Sequence, residues 1–535
     1  MNNRVVMMSG FLALILTGGL IAACGDDDPT TPVTPAPVPT TTATVPVPGR
    51  DAAAPAPTDS GTTSDAGDAA DAQPATSPIT PLTTTRMANA INPYGLVFAS
   101  DGFLYASGTT IDATADRVLA VWRFKDGVLD TTFGVAGVLT VAIPGNETSF
   151  DIVEVSAGNF VVQAVTANIA AAGGNPAVGG KVFLVKMTKD GAGAYSFGTL
   201  VQVDFDWADG DLATWPAAAP PSYGTSYGVA LDKSNAASPK IVVFASGAPA
   251  KGRLGKAGGT QAGVQRTDND RWIARVSADT LAADATFNAG KAYSVDADNA
   301  EVADTARRGI VQAGGVIVSG GYTAFDGINS VILIRLLPNG TADPAFGFGT
   351  TAPGVPGQTK FNPFSAVTGG FAEAYGVVRQ TSGRYVTGGY GVTAFEVPTV
   401  NVDLCSFGVK ADGLDPTFGK LGTFALQSEK DKSAGLGAAP FTDRARTLNV
   451  LADDRVVFGG VYDDYASLIV VDKNGKLDPN VGVNGVIEYA YPAGFFAVAV
   501  SPDGTRIAAS AQSLNQNTDA SAPLGSILAT LKVGQ

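Results

Sequence analysis

The chain writes nearly one phrase five times. LDPTFGKLGTFAL runs from Leu414 to Leu426, and its counterparts are LDTTFGVAGVLTV from Leu129, ADATFNAGKAYSV from Ala283, ADPAFGFGTTAPG from Ala342 and LDPNVGVNGVIEY from Leu477. Self-similarity at a period of about 50 to 80 residues is the mark of a repeat architecture, and it limits the fold more than any other feature of the sequence. Within each copy an Asp can accept hydrogen bonds from turn amides, glycines allow positive φ, and an apolar residue is placed to enter a core. A residue recurring once per repeat belongs to the scaffold. Asp130, Asp284, Asp343, Asp415 and Asp478 are therefore expected to be structural, and the Phe that follows each is expected to pack between neighbouring repeats.

Upstream of the phrase lies a strand ending in an Asp-Gly or Asn-Gly type turn, as in LAVWRFKDG from Leu119 and VILIRLLPNG from Val331. Before that comes a hairpin: YGLVFASDGFLYASG from Tyr94, RGIVQAGGVIVSGG from Arg308, YGVVRQTSGRYVTGG from Tyr375, RTLNVLADDRVVFGG from Arg446 and AVAVSPDGTRIAAS from Ala497. Weaker copies start at Phe150 and Tyr227, giving seven. Alternating or short apolar runs with Gly, Asn and Asp at the turns read as antiparallel strands, and four strands per unit suit the blade of a β-propeller. The 65 glycines and 16% charged residues agree with a turn-rich all-β chain. The fold class predicted is all-β, a seven-bladed propeller, with six or eight blades as the alternatives.

The last unit ends at GSILATLKVGQ, without a fourth strand of its own. An unclosed ring would expose a sheet edge. The unassigned β-capable segment, TPLTTTRMANAIN from Thr80, stands just before the first hairpin. Residues about 81–88 are expected to pair with 526–533, closing the last blade from both ends of the chain.

The repeat resembles the delta-60 repeat of bacterial secreted and surface proteins, whose consensus has a strand, an Asp-Gly turn and then Leu-Asp-x-x-Phe-Gly-x-x-Gly. The resemblance covers most of residues 92–535 and is strongest at Asp130, Phe133, Gly134 and Gly137 and at Asp415, Phe418, Gly419 and Gly422. It thins where Asn288 follows Phe287, where Val481 replaces the aromatic, and in the second unit, which keeps only Ser196, Phe197 and Gly198. The resemblance implies a propeller in the cell envelope and brings no established chemistry.

The N-terminus reads as an export signal: Arg4, then an apolar run from Val5 to Ala23. Its ending, LIAAC followed by GDDD, resembles the lipobox of bacterial lipoproteins, which implies lipid on Cys24, cleavage of residues 1–23, and an envelope protein anchored in the outer membrane. Acyl chains contribute about 0.8 kcal/mol per buried methylene, so two or three suffice for stable anchoring. Residues 24–80 form a tether rich in Pro, Thr, Ala and Asp. From residue 25 its eight Asp against the single Arg50 carry half of the chain's net charge of −14, and such a segment cannot bury enough apolar surface to order itself. The propeller occupies 81–535. With Cys24 lipidated, the second cysteine, Cys405, is left in a strand-like run as a small buried hydrophobe.

The sequence holds no histidine, which excludes Ser-His-Asp and Cys-His nucleophiles and His-based zinc sites. GRLGKAGG from Gly252 lacks the Ser or Thr of a phosphate loop and reads as a surface loop. Two acidic stretches, DFDWADGD from Asp204 and TDNDR from Thr267, have the oxygen density of calcium sites without the spacing of a known loop. Calcium is accordingly the one cofactor the residues suggest. The insertion from Asp204 to Gly228 gathers Trp207, Trp215, Tyr223 and Tyr227, aromatic faces of the kind a sugar or peptide groove uses. The function class favoured is a surface-anchored binding or interaction module for a glycan or protein ligand. The alternatives are a carboxylate- or metal-dependent envelope enzyme of lyase or lactonase type and a passive coat protein. The acidic balance argues against nucleic acid as a partner.

Overall fold

In this computed structural model the residues described are 77–534, apart from 113–116, 144–146, 167–180, 204–224, 248–262, 265, 267, 296–300, 325–326, 348–354, 368, 394–401, 428–442 and 514–524. They form strands and turns, with one 3-10 turn at Asn288–Gly290 and no α-helix. The strands make seven antiparallel sheets. Their first strands are Ile91–Phe98, Glu147–Ser156, Thr225–Asp232, Asp304–Val311, Ala372–Arg379, Arg444–Val450 and Phe495–Val500. These contact one another in that order, and the seventh contacts the first. The molecule is a seven-bladed β-propeller with the first strand of every blade lining a central channel; blades are numbered 1 to 7 along the chain.

No blade has a core to itself. Seven apolar clusters form among the described residues, one at each junction between neighbouring blades. Phe133 of blade 1, for example, is buried with Phe160 and Val162 of blade 2, and Phe418 of blade 5 with Phe458 and Ile469 of blade 6. Blade 6 uses Val481 in the same place, against Phe495 and Ile507 of blade 7.

The repeated phrase explains how these residues are held. One carboxylate oxygen of each Asp accepts the backbone N–H two residues on: Thr132 to Asp130, Thr286 to Asp284, Ala345 to Asp343, Thr417 to Asp415 and Asn480 to Asp478, at 2.9–3.1 Å. The other oxygen pairs with an arginine, respectively Arg123, Arg275, Arg335, Arg384 and Arg455, at 2.6–2.9 Å. In the four copies that keep the aromatic, the same guanidinium lies 4.7–5.6 Å from the phrase's Phe ring. Each Asp thus ties a turn to an arginine, and in those four copies the arginine stacks on the inter-blade anchor. The residue after the anchor has φ between 44° and 54° in Gly134, Gly419, Gly482 and Asn288. Asn288 can stand in for glycine because Asn tolerates the left-handed region.

Closure follows the sequence expectation. Ile79–Ala88 pairs antiparallel with Gly525–Val533, with Ile79 opposite Val533 and Ala88 opposite Gly525, so the pairing starts two residues before the expected 81. Pro81 lies at a register irregularity on this outer strand, where its missing N–H costs no ladder bond. Thr83 and Thr530 hydroxyls meet at 2.6 Å, and Thr85 donates to the Gly127 carbonyl of blade 1.

Strand direction separates two faces. Connections between strands one and two, and three and four, fall on a turn face that carries the Asp phrases. Connections between strands two and three, and from each blade to the next, start and end on the opposite, loop face. Ile79, the start of the closing strand, lies at the turn face: it bridges Val481, and the preceding Ser77 carbonyl accepts from Arg455 Nη1 at 2.8 Å.

Removing residues 1–76 should leave the melting temperature of the propeller unchanged. Extending the deletion to Ala90 removes the buried side chains of Ile79 and Met87, worth on the order of 3–6 kcal/mol by area alone, and should lower it sharply; equal melting of both truncations would refute the closure. At Asp415, burial works to raise the carboxyl pKa, but the Thr417 hydroxyl, Arg384, the Thr417 amide and Lys410 together lower it well below the usual range. That stabilisation is present above the unfolded value near 4 and is lost as pH falls through the folded one. Asp415→Asn should cost about 2–4 kcal/mol at neutral pH, and the gap from wild type should shrink in denaturant titrations on acidification.

Candidate functional site

The first strands share a second irregularity. In every blade the pairing with the second strand slips by a β-bulge within the opening residues, between Ile91 and Gly95, Ser149 and Asp151, Ser226 and Gly228, Ala306 and Gly309, Ala374 and Gly376, Ala445 and Thr447, and Phe495 and Ala497. A bulge re-aims the side chain at the extra residue, and here it does so seven times around one axis. The paired Gly-Gly of the second strand answers this. A side chain on Gly389 or Gly460 would collide with the carbonyl of Glu373 or Arg444, which the bulge pushes against it.

The residues so re-aimed form a closed belt, one per blade. Tyr94 stacks on Phe496 at 4.6 Å and leans on Phe150 at 5.5 Å, and Phe150 meets Tyr227 at 5.1 Å. The Arg307 guanidinium is sandwiched between Tyr227 at 4.0 Å and Tyr375 at 4.2 Å, and Arg446 lies 4.7 Å from Tyr375 and 5.2 Å from Phe496. Because the belt sits two to four residues into each first strand, it lies beside the loop face. Cation–π contacts are worth about 0.5–2 kcal/mol each, more where water is excluded, so the belt is a pre-organised element. Arg307 also donates to the hydroxyls of Tyr375 at 3.1 Å and Tyr322 at 3.3 Å.

The belt is polarised. From blade 7 through blade 3 it is wholly aromatic: Phe496, Tyr94, Phe150 and Tyr227. From blade 4 to blade 6 guanidinium and tyrosine alternate. That second arc is backed by Tyr390, which lies 5.6 Å from Tyr375 and has Arg444 over its ring at 4.7 Å. Phe150, Tyr227, Arg446 and Phe496 are half-buried, whereas Tyr94, Arg307 and Tyr375 are buried.

One residue further along the first strands, Arg308 of blade 4 crosses the channel. Its Nη2 donates to the carbonyls of Tyr94 in blade 1 and of Phe150 in blade 2, the latter at 3.1 Å. The equivalent positions in blades 1, 3 and 5 are Gly95, Gly228 and Gly376, and in blade 2 the position is Asp151. A side chain on Gly228 would press against both the Asp151 carboxylate and Arg308. Burial raises the Asp151 pKa, while the Arg308 charge and the Val229 and Ile152 amides work to lower it. Arg308 therefore reaches across the channel beneath the belt and ties blade 4 to blades 1 and 2.

Of the residues singled out in the sequence, Tyr227 stands in the belt, on an innermost strand. Trp207, Trp215 and Tyr223 lie outside the described residues, as do Cys24, the 1–23 signal, the tether up to residue 76, the GRLGKAGG loop and the acidic run from Asp204. In the second acidic stretch, Asp268 and Asp270 both bind Arg266; Asp268 Oδ1 accepts from Arg266 Nε at 3.0 Å and Asp270 Oδ1 from Nη2 at 2.6 Å. The two carboxylates share one guanidinium. Among the described residues no three acidic or thiol side chains converge as metal ligands would. Cys405 is buried in the third strand of blade 5, with burial pushing its thiol pKa well up. The belt was missed in the sequence except at Tyr227, although the hairpin copies beginning YG, FD, YG, YG and RT each open on it. In blade 4 the hairpin copy begins at Arg308, one residue after the belt member Arg307.

No family model and no curated protein matches the chain. Solved structures match it only at low likeness. Sqt1 from Chaetomium thermophilum matches with 10% identity over 84% of this chain and all of that one, at a TM-score of 0.38. A Lactobacillus plantarum protein matches with 15% identity over 75% and 89%, at 0.36. The α-L-arabinanase of Penicillium chrysogenum matches with 9% identity over 85% and 96%, at 0.35. Function has to be read from this chain's own residues.

Replacing Arg308 by Met should keep the packing of its stem, cost about 1.5–3 kcal/mol for the lost charged hydrogen bonds, and raise the Asp151 pKa further, measurable by carbon-13 titration. An unchanged Asp151 would show that Arg308 does not act across the channel.

Proposed function

We propose that the protein is an envelope-tethered binding module that presents the belt, at the loop-face mouth of its channel, away from its anchor. The observation that carries this reading is the direction of the closing strand. The chain enters the propeller at the turn face, through Ser77 and Ile79, so a lipid on Cys24 and the acidic tether would pull on the face opposite the belt. The lipobox-like LIAAC, the tether and the delta-60-like repeat support the envelope setting. The pre-organised, partly exposed belt supports ligand binding.

The reading is tested by probing glycan and peptide arrays with the full-length protein and following the ligand found. Tyr227→Ala with Phe496→Ala should weaken its binding about tenfold or more, as loss of two aromatic contact faces implies. Retained binding in that variant and loss in Trp207→Ala with Trp215→Ala would move the site to the rim insertion and overturn the reading. Cys24→Ser should abolish detergent-phase partitioning; a variant that stays in the detergent phase would refute the lipid anchor.

A further inference from the structure

We infer that the turn-face rim of blades 5, 6, 7 and 1 rests on the lipid surface that holds the anchor, with the tips of the repeated phrases dipping into it. The inference rests on the reading of Cys24 as the lipid anchor and adds a second contact with the same membrane. Three phrases end in a two-residue hairpin turn, in which the N–H of Val135, Lys420 or Val483 donates to the carbonyl of Val138, Thr423 or Val486. The first turn residue is Ala136, Leu421 or Asn484, at φ 51–54°, and the second is Gly137, Gly422 or Gly485, at φ 87–93°. Turns with positive φ at both central positions favour Asn-Gly. Blade 6 has that pair. Blade 5 instead sets Leu421 in the left-handed region, which disfavours a bulky side chain, and leaves it 74% exposed. Val135 and Val483, each one residue before its turn pair, are 83% and 71% exposed. The fold gains nothing from large apolar side chains at these tips, whereas contact with an apolar medium would.

Their placement is one-sided. Among the described residues, the large apolar side chains exposed at this face are Leu82, Val128, Val135, Leu421 and Val483, all on four adjacent blades. Single exposed apolar residues are ordinary, but a run confined to one side of a ring marks an interaction surface. A cleft between blades 7 and 1, lined by Leu82, Phe98 and Leu104, continues the arc. Lys420, Lys473 and Lys476 are exposed beside the tips of blades 5 and 6, and the Gly419 N–H donates to the Asn474 carbonyl, so the two turns abut. Such lysines lay their stems along apolar surface and reach headgroup phosphates with their ammonium groups. Of the exposed carboxylates that blades 5 and 6 carry at this face, Asp412 and Asp453, the second pairs with Arg455 at 2.8 Å. The chain also enters here: Ser77 and Ile79 meet Arg455 and Val481, two residues before Val483. The 52 residues between Cys24 and Ser77 hold the anchor within about 180 Å at full extension. The rim therefore meets lipid as a tethered partner, for which a weak contact of a few side chains suffices.

The test uses the full-length protein with Val483→Cys, labelled with an environment-sensitive thiol dye; Cys405 is buried and Cys24 is blocked by its lipid. The labelled protein is reconstituted in vesicles of phosphatidylethanolamine and phosphatidylglycerol that contain a nitroxide-bearing lipid. Emission from position 483 should shift to the blue and be quenched by the nitroxide. A label at Ile328→Cys, which is exposed on the loop face, should show neither change. Adding Val135→Ser and Leu421→Asn to the Val483→Cys protein should remove most of the quenching, while the melting temperature stays level or rises because Asn suits the turn better than Leu. A label at 483 quenched no more than one at 328, or quenching untouched by the two added substitutions, would overturn the contact. Shielding of position 483 from aqueous iodide without quenching by the nitroxide would assign the rim to a second copy of the chain and overturn it as well. Cys24→Ser then decides on the anchor separately: its loss from the detergent phase keeps the anchor and strikes only the rim contact, and its retention there strikes both.

Discussion

Every blade of this propeller depends on its neighbours for a core, and that makes ring closure the constraint from which the rest follows. A four-stranded sheet has two faces to bury, and here each is completed by a neighbouring blade. Phe133, Phe287, Phe346, Phe418 and Val481 lie in turns before a fourth strand, yet each is buried in a cluster with the next blade. A missing outer strand in blade 7 would leave the junctions on both of its sides incomplete. Ile79–Ala88 supplies it, with Ile79 joining the cluster toward blade 6 and Met87 the cluster toward blade 1. The same few residues that close the ring also fix the face from which the N-terminal segment departs.

The two faces divide the work. On the turn face the blades repeat one another: an Asp, an arginine and an apolar anchor recur with the same hydrogen bonds, and local differences such as Asn288 or Val481 keep the geometry. In the channel the blades repeat only the bulge. The side chains it aims inward read Tyr, Phe, Tyr, Arg, Tyr, Arg, Phe, and the row beneath holds Arg308 and Asp151 where other blades have small residues. Repetition of backbone with variation of side chain is what a scaffold carrying one asymmetric site should display.

Much of the scaffold was legible in the sequence because its determinants are local. The Asp phrase is a turn motif whose hydrogen bonds span two residues, the Asp-Gly turns mark hairpins, and the incomplete last unit forces a strand from the other end of the chain. The belt was not legible in the same way. Its contacts join residues of adjacent blades, some 56 to 80 positions apart in most cases and over 400 for Tyr94 and Phe496, and they depend on a bulge that no turn residue announces. In blade 4 the two consecutive arginines made the register ambiguous by one, and the strand places Arg307 in the belt and Arg308 beneath it. Tyr227 ends an aromatic-rich insertion in the sequence, and its position is that of the belt in blade 3.

Charge at the belt runs against the charge of the chain. The sequence is strongly acidic overall, and on the turn face the Asp of each repeated phrase pairs with an arginine. Between blades 4 and 6, Arg307, Arg444 and Arg446 also lie on tyrosine rings. An aromatic face orients a guanidinium by its quadrupole and adds attraction without a proton or a bond being exchanged. The second arc of the belt therefore sets oriented cationic groups beside an arc that is wholly aromatic, and the asymmetry of the channel comes from side chains carried on seven copies of one backbone bulge.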